Sequence, residues 1–138
     1  KDLLYYGRHI KRGEMLFIFT GWSRRRGVTP AYLFRWPHLS TGAARFLVGK
    51  RPKVVGTDGL SIGGWDGRGV VGPVAKTPSR IIHRMLLEAG ILILEEVANL
   101  HKLLMRRKVA RSFFILAPLA VKGAEASPCR VISIRSDL

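Results

Sequence analysis

HRMLLEAGILILEEVANL, residues 83–100, decides how this chain folds. Just upstream, Thr77 is a natural helix N-cap and Pro78 suits the first turn. Ile82, Met85, Leu86 and Ala89 then fall at i, i+3, i+4 and i+7, one apolar helical face, and Gly90 suits the C-terminal stop. ILILE follows directly as a compact strand. From His83 to Gly90 a helix descends roughly 10 Å. From Gly90 to Glu95 a strand climbs back roughly 16 Å. A helix packed on its own following strand therefore brings His83 level with the strand's carboxyl end. Alternation puts Ile91, Ile93 and Glu95 on one face and Leu92, Leu94 and Glu96 on the other. Only one of the two glutamates can point where His83 points.

Working outward, GEMLFIFTGW (residues 13–22) runs apolar like a buried strand. An arginine-rich loop follows, with Pro30 and Pro37 as breakers. LSTGAARFLVGKRP reads as a short helix, capped by Ser40 or Thr41 and ended by Gly49 and Pro52. KVVGTDGLSIGG (residues 53–64) is a strand entering a glycine-rich loop, and that loop lacks any phosphate-binding fingerprint. After residue 96, VANLHKLLMRR suggests a short helix or turn, and SFFILAPLAVKG and CRVISIR read as two strands. The order βαβαβ, then ββ, predicts one α/β domain on a mixed sheet over residues 1–138.

Composition sets the class. A chain of 138 residues that is 47% hydrophobic can bury a real core and is not disordered. No apolar run approaches the ~20 residues of a membrane span, so no membrane partner is expected. The start lacks the apolar core of a signal peptide, and opening on Lys1 suggests a start inside a longer reading frame. The single Cys129 cannot form an internal disulfide, which suits a cytoplasmic setting, and it reads as a small buried hydrophobe. With 24 Lys plus Arg against 9 Asp plus Glu, net charge +15, non-specific binding of a polyanion such as nucleic acid is a second reading. Its clusters are Arg24–Arg26, Lys50–Lys53 and Arg106–Lys108, with no aromatics interleaved as a stacking surface would want. That reading requires the three clusters to share one face.

The chemistry centres on His83 and the glutamates. An imidazole and a carboxylate are metal-ligand types, but zinc takes at least three protein ligands. His9, His38 and His101 show no His-x-x-x-His or His-x-His spacing, and HExxH is absent. Ser61, His83 and Asp58 make a nucleophilic triad on paper, without a nucleophile elbow to support it.

Four phrases, in order, resemble the carboxyl-terminal part of the putative cyclase family, which includes bacterial kynurenine formamidase and isatin hydrolase. RGEMLFIFTGWS is similar to the family's strand ending in TGWS, here Thr20 to Ser23. WPHLSTGAARFLVGKRPKVVGTDGLSI resembles its capped helix and the strand leading to an aspartate and a serine, here Asp58 and Ser61. HRMLLEAGILILEEVANL resembles its histidine helix and the strand ending in Glu-Asn-Leu, with Glu96 standing where asparagine is frequent. FFILAPLAVKGAEASPCRVISI looks like its closing strand pair.

The resemblance implies a swivelling β/β/α fold, incomplete at the amino terminus, and a homo-oligomer. It implies hydrolysis of a small cyclic amide or aryl formamide, as in tryptophan catabolism, by water on a divalent zinc or manganese. His83 and Glu95 fall on the family's last two metal ligands. The family's early H-x-G-T-H-x-D-x-P-x-H motif, with three ligands and the catalytic base, has no counterpart here. The chain alone is therefore expected to coordinate the metal incompletely and to be inactive, and no catalytic residue is assigned. Thr20 and Trp22, at a strand end, are expected at the substrate pocket. Trp65 is expected to be a simply exposed loop residue, with contact to substrate or a neighbouring subunit as the alternative, and Asp58 and Ser61 are expected to organise a turn. A non-catalytic structural homologue is the remaining alternative.

Overall fold

The computed structural model describes residues 2–65 and 79–134. It divides into two compact units, Lys1–Leu100 and His101–Leu138.

The first unit is built on three parallel strands, β1 (Met15–Ile18), β2 (Val54–Thr57) and β3 (Leu92–Leu94), in the order β1-β2-β3. Met15 pairs with Val54, and Val54 with Leu92, so the strands start level. β2 is central and all four of its residues are buried. Gly56 is required there. A Cβ at this position would stand 2.6 Å from the Phe17 ring and 3.6 Å from Leu94 Cβ, on the two neighbouring strands.

Two helices complete the crossovers, α3 (Thr41–Lys50) between β1 and β2 and α4 (Ser79–Glu88) between β2 and β3. The cap of α3 is Ser40, whose hydroxyl accepts from Ala43 N–H at 3.2 Å. Arg51, at φ 53°, closes its other end by donating to Leu47 O. The expected cap of α4, Thr77 with Pro78, lies outside the described residues. The stop is as expected: Gly90, at φ 72°, donates to Leu87 O and Ile91 to Leu86 O, the paired bonds of a Schellman motif. Ala44 and Leu47 of α3 pack with Ile82 and Leu86 of α4 over Val55 and Ile91, all essentially inaccessible.

The stretch expected as a loop around Pro30 instead holds helix α2 (Pro30–Phe34). Thr29 caps it by accepting from Tyr32 N–H, and Pro30 fills the first position, where its missing N–H costs nothing. The chain also begins with a short helix, α1 (Asp2–Tyr5), and a 3-10 turn at Gly7–His9 that sequence pattern did not suggest. A second, aromatic cluster joins Trp22, Tyr32 and Trp36, with Leu33, Leu60 and Trp65 packed against it.

A short helix, α5 (Leu100–Leu104), follows. The second unit then forms an antiparallel pair, β4 (Phe113–Pro118) with β5 (Cys129–Ile134). Ser112 and Ser133 hydroxyls meet at 2.6 Å and fasten its open end. Cys129 is half-buried on β5 opposite Pro118. The α/β class is thus borne out, with the parallel and antiparallel strands in separate sheets. Among the described residues no helix is long and apolar enough to cross a membrane.

Candidate functional site

In a parallel sheet the loops leaving the carboxyl ends of the strands gather on one edge, where open α/β sheets place their ligands. Here that edge carries Thr20 and Ser23 after β1, Asp58 and Ser61 after β2, and Glu95 and Glu96 after β3.

His83 and Glu95 meet there. His83 Nε2 lies 2.9 Å from Glu95 Oε1, and both side chains are about a third exposed, so the pair is open to small molecules. The alternation along β3 decides which glutamate arrives. Ile91 is buried and Ile93 packs on the core, while Leu92 is exposed, so Glu95 continues the inward face toward α4. The same Oε1 accepts Ile62 N–H at 2.8 Å, and the Ser61 side chain adds a further bond. Burial raises the Glu95 pKa, but hydrogen bonds from His83, Ile62 N–H and Ser61, with the attraction of His83, outweigh it and hold the carboxyl below its ordinary value.

Glu96 turns the other way. Its φ of 54° is a left-handed conformation that a residue with a Cβ adopts at some cost. That turn lets Glu96 N–H reach Gly59 O and Val97 N–H reach Thr57 O, both at 2.9 Å. The Glu96 carboxylate accepts instead from Arg26 Nη2 at 3.1 Å and from the Tyr32 hydroxyl at 3.2 Å. Strand alternation and this turn together send two adjacent carboxylates to different partners.

The donors and spacing of the pair suit a shared metal. Two ligands sharing one tetrahedral zinc at ~2.0 Å stand about 3.3 Å apart, close to the spacing seen. Imidazole nitrogen and carboxylate oxygen are also donor types that zinc and manganese accept. Among the described residues, however, no group of three or more His, Cys, Asp or Glu side chains could hold a metal. His9 lies beside Arg8, and His38 Nδ1 beside Trp36 O. The residues fit two positions of a metal site and no more.

TGWS has a clear task. Asp58 is buried, and four donors surround its carboxylate: Thr20 N–H and hydroxyl at 2.7 Å on Oδ1, Ser23 N–H and hydroxyl at 3.1 Å on Oδ2. Gly21, at φ 83°, makes the left-handed turn that lets both ends of the motif face one carboxylate. Asp58 thus ties β2 to the loop after β1, a long-range bond rather than the expected local turn. Ser61 does make a local turn, accepting Gly63 N–H at 3.3 Å. Thr20 faces Asp58 with both its donors. Trp22 is buried, stacks on Tyr32 with ring centroids 6.2 Å apart, and donates from Nε1 to Tyr32 O. Trp65, expected to be exposed, is half-buried against Phe34 and the aromatic cluster because the preceding loop is fastened by Trp36 Nε1 to Gly63 O.

The basic clusters of this unit separate along the sheet. Arg24–Arg26 follow the carboxyl end of β1, whereas Lys50–Lys53 lead into the amino end of β2, where Gly13 N–H bonds Arg51 O. Aromatics do lie beneath the first cluster, a feature sequence order concealed: Arg24 sits 5.6 Å above Phe19 and Arg25 5.4 Å above Trp22.

Residues 2–63 match the family of putative cyclases. The chain is similar to a solved structure described as a potential metal-dependent hydrolase with cyclase activity, at 25% identity and TM-score 0.64, over 90% of this chain and 52% of that one. It is similar to isatin hydrolase A from Labrenzia aggregata bound to benzyl benzoate, at 28% identity and TM-score 0.70, over 96% of this chain and 50% of that one. Isatin hydrolase A from Ralstonia solanacearum shares the fold at 24% identity and TM-score 0.71, over 96% of this chain and 51% of that one. The chain spans about half the length of these structures. No curated protein matches it.

Proposed function

Taking this chain as a cyclase-family chain, we propose that it supplies part of the active site of a metal-dependent hydrolase acting on a small cyclic amide or aryl formamide. The observation that carries this reading is the convergence of His83 Nε2 and Glu95 Oε1 at the carboxyl edge of the sheet. In it, both units form portions of one cyclase-like domain within a homo-oligomer. His83 and Glu95 would hold two positions of a divalent zinc or manganese site, the remainder coming from polypeptide outside this chain. When bound, such an ion lowers the pKa of its water and so makes hydroxide available near neutral pH.

The chain's own residues orient the pair. Ile62 N–H and Ser61 fix the Glu95 carboxylate, and the Glu96 turn keeps its neighbour out of the way. Asp58 holds the Thr20–Ser23 turn, so Thr20 and Trp22 contribute to the pocket by shaping its wall. The separation of the basic clusters weighs against the nucleic-acid reading, which needs a common basic face.

The test is ring opening of isatin followed by absorbance. The chain alone, with zinc or manganese, is expected to be nearly inert. A chimera joining the amino-terminal half of the Labrenzia aggregata isatin hydrolase to this chain is expected to turn over in a metal-dependent way and to lose that activity with His83→Ala or Glu95→Ala. Robust turnover by the chain alone, or a chimera indifferent to both substitutions, refutes the proposal.

A further inference from the structure

Three consecutive arginines leave one turn at the carboxyl edge of the sheet, and that turn is held firmly. Trp22–Arg25 form a 3-10 helix. Trp22 N–H donates to Thr20 Oγ1, Ser23 donates to Asp58 Oδ2 from both its N–H and its hydroxyl, and Arg24 N–H donates to Gly21 O. Each guanidinium has a seat. Arg26 lies against the Glu96 carboxylate at 3.1 Å, which also accepts the Tyr32 hydroxyl. Arg24 lies 5.6 Å above the half-buried Phe19 ring, and Arg25 5.4 Å above Trp22. Arg24 and Arg25 are both exposed, so a solute can reach them.

That arrangement suits one kind of ligand. A guanidinium stacked on a ring still has N–H donors in its own plane, and their fork matches a carboxylate. Two adjacent cations repel each other, and a bound anion relieves the repulsion. The aromatic floor adds affinity for a ligand that is itself flat and apolar. Position then says which part of a substrate is held. Glu95 and Glu96 leave adjacent Cα atoms about 3.8 Å apart, and their side chains diverge to His83 and to Arg26. With both side chains extended, the arginine turn and the His83–Glu95 pair are separated by a distance on the order of 10 Å, about one small ring system. A carboxylate newly made by hydrolysis would appear at the pair. An acid held by the arginines is therefore a group the substrate already carries.

We infer that Arg24 and Arg25 form an acid-binding site that selects flat aromatic amides bearing a carboxylate, held one ring system away from the bond to be cleaved. The inference deepens the hydrolase reading and rests on it for the reaction. The site itself needs only a planar ring and one carboxylate. A polymer of phosphates would need further cations along its length, and Lys50–Lys53 lie at the opposite end of the strands.

The experiment is a titration of the full chain with benzoate, followed by the arginine Nε ¹⁵N–¹H signals. Those of Arg24 and Arg25 are assigned by their loss in Arg24→Gln and Arg25→Gln. Benzoate is expected to move both. Benzamide, of the same shape but neutral, and acetate, charged but without a ring, should each bind more weakly. Arg24→Gln and Arg25→Gln should each weaken benzoate about twofold to fivefold, the worth of one exposed ion pair. Arg12→Gln removes the same charge just before β1 and should change nothing. Benzoate held no better than benzamide or acetate, or weakened as much by Arg12→Gln, overturns the inference. The isatin-hydrolysing chimera separates it from the reading it rests on. Turnover that depends on His83 and Glu95, beside benzoate binding that ignores Arg24 and Arg25, leaves the hydrolase reading and removes this one. Arginine-dependent binding in a chain whose chimera ignores His83 and Glu95 keeps the acid site and removes its catalytic setting.

Discussion

Asp58→Asn tests most of the local architecture in one substitution. It keeps the size and shape of a side chain that is 1% exposed. It replaces one of two oxygens that together accept four bonds, from the backbone and hydroxyl of both Thr20 and Ser23. The amide oxygen can serve one pair of donors, but the new NH₂ group then faces the other pair, donor against donor. Two bonds to an ionised acceptor at about 1.5–3 kcal/mol each give an upper range of about 3–6 kcal/mol. Thr20 is exposed and Ser23 only half-buried, so water recovers part of that. The expected loss is about 2–3 kcal/mol, within the range of a disrupted buried network. For a chain of this length that lowers Tm by roughly 10 °C. The assay is urea and thermal unfolding followed by tryptophan fluorescence, since Trp22 lies inside the tied turn. Ser23→Ala, removing one hydroxyl, should cost about 1 kcal/mol, and less on the Asp58→Asn background because the bond is already compromised. An Asp58→Asn chain within about 0.5 kcal/mol of the parent, the range of an ordinary surface change, would refute the claim that TGWS exists to hold this carboxylate.

Other perturbations probe separate parts of the account. Gly56→Ala should destabilise by about 1–3 kcal/mol in urea unfolding, because the new methyl group meets the Phe17 ring inside a parallel sheet. Ile82→Ala and Leu86→Ala, both at 0% exposure between the two helices, should each cost about 2–5 kcal/mol. At Glu96, Asn tolerates the left-handed backbone but forfeits an exposed ion pair with Arg26 and a part-buried bond from the Tyr32 hydroxyl, so Glu96→Asn should cost no more than about 1 kcal/mol by thermal unfolding. Glu96→Val, β-branched at a positive φ, should cost about 1–2 kcal/mol.

The residues near position 90 carried most of what could be read in advance. A 3.6-residue apolar period, a glycine stop and a four-residue apolar run fixed a helix–strand unit, and simple rise per residue brought His83 to the level of Glu95. That worked because both effects are local. α2 escaped because Pro30 reads equally well as a breaker and as a first helical residue, and only the Thr29 cap with the packing of Tyr32 decides between them. The Asp58 cradle escaped because its donors lie 35 and 38 residues away, where no periodicity reports a contact. The left-handed turn at Glu96 carries no glycine to announce it. Trp65 stood out only as an aromatic beside glycines, and the tie between Trp36 and Gly63 that pulls it inward is again non-local.

The central claim, that the helix–strand unit presents His83 and Glu95 as two ligands of one metal, is tested most directly by zinc binding to the purified chain in a calorimeter. The parent chain should bind one zinc weakly, as a site with two protein ligands does, and His83→Ala and Glu95→Ala should each abolish that binding while leaving the fold intact by circular dichroism. Zinc affinity unchanged in both variants would contradict the claim, whatever the chain's relatives do.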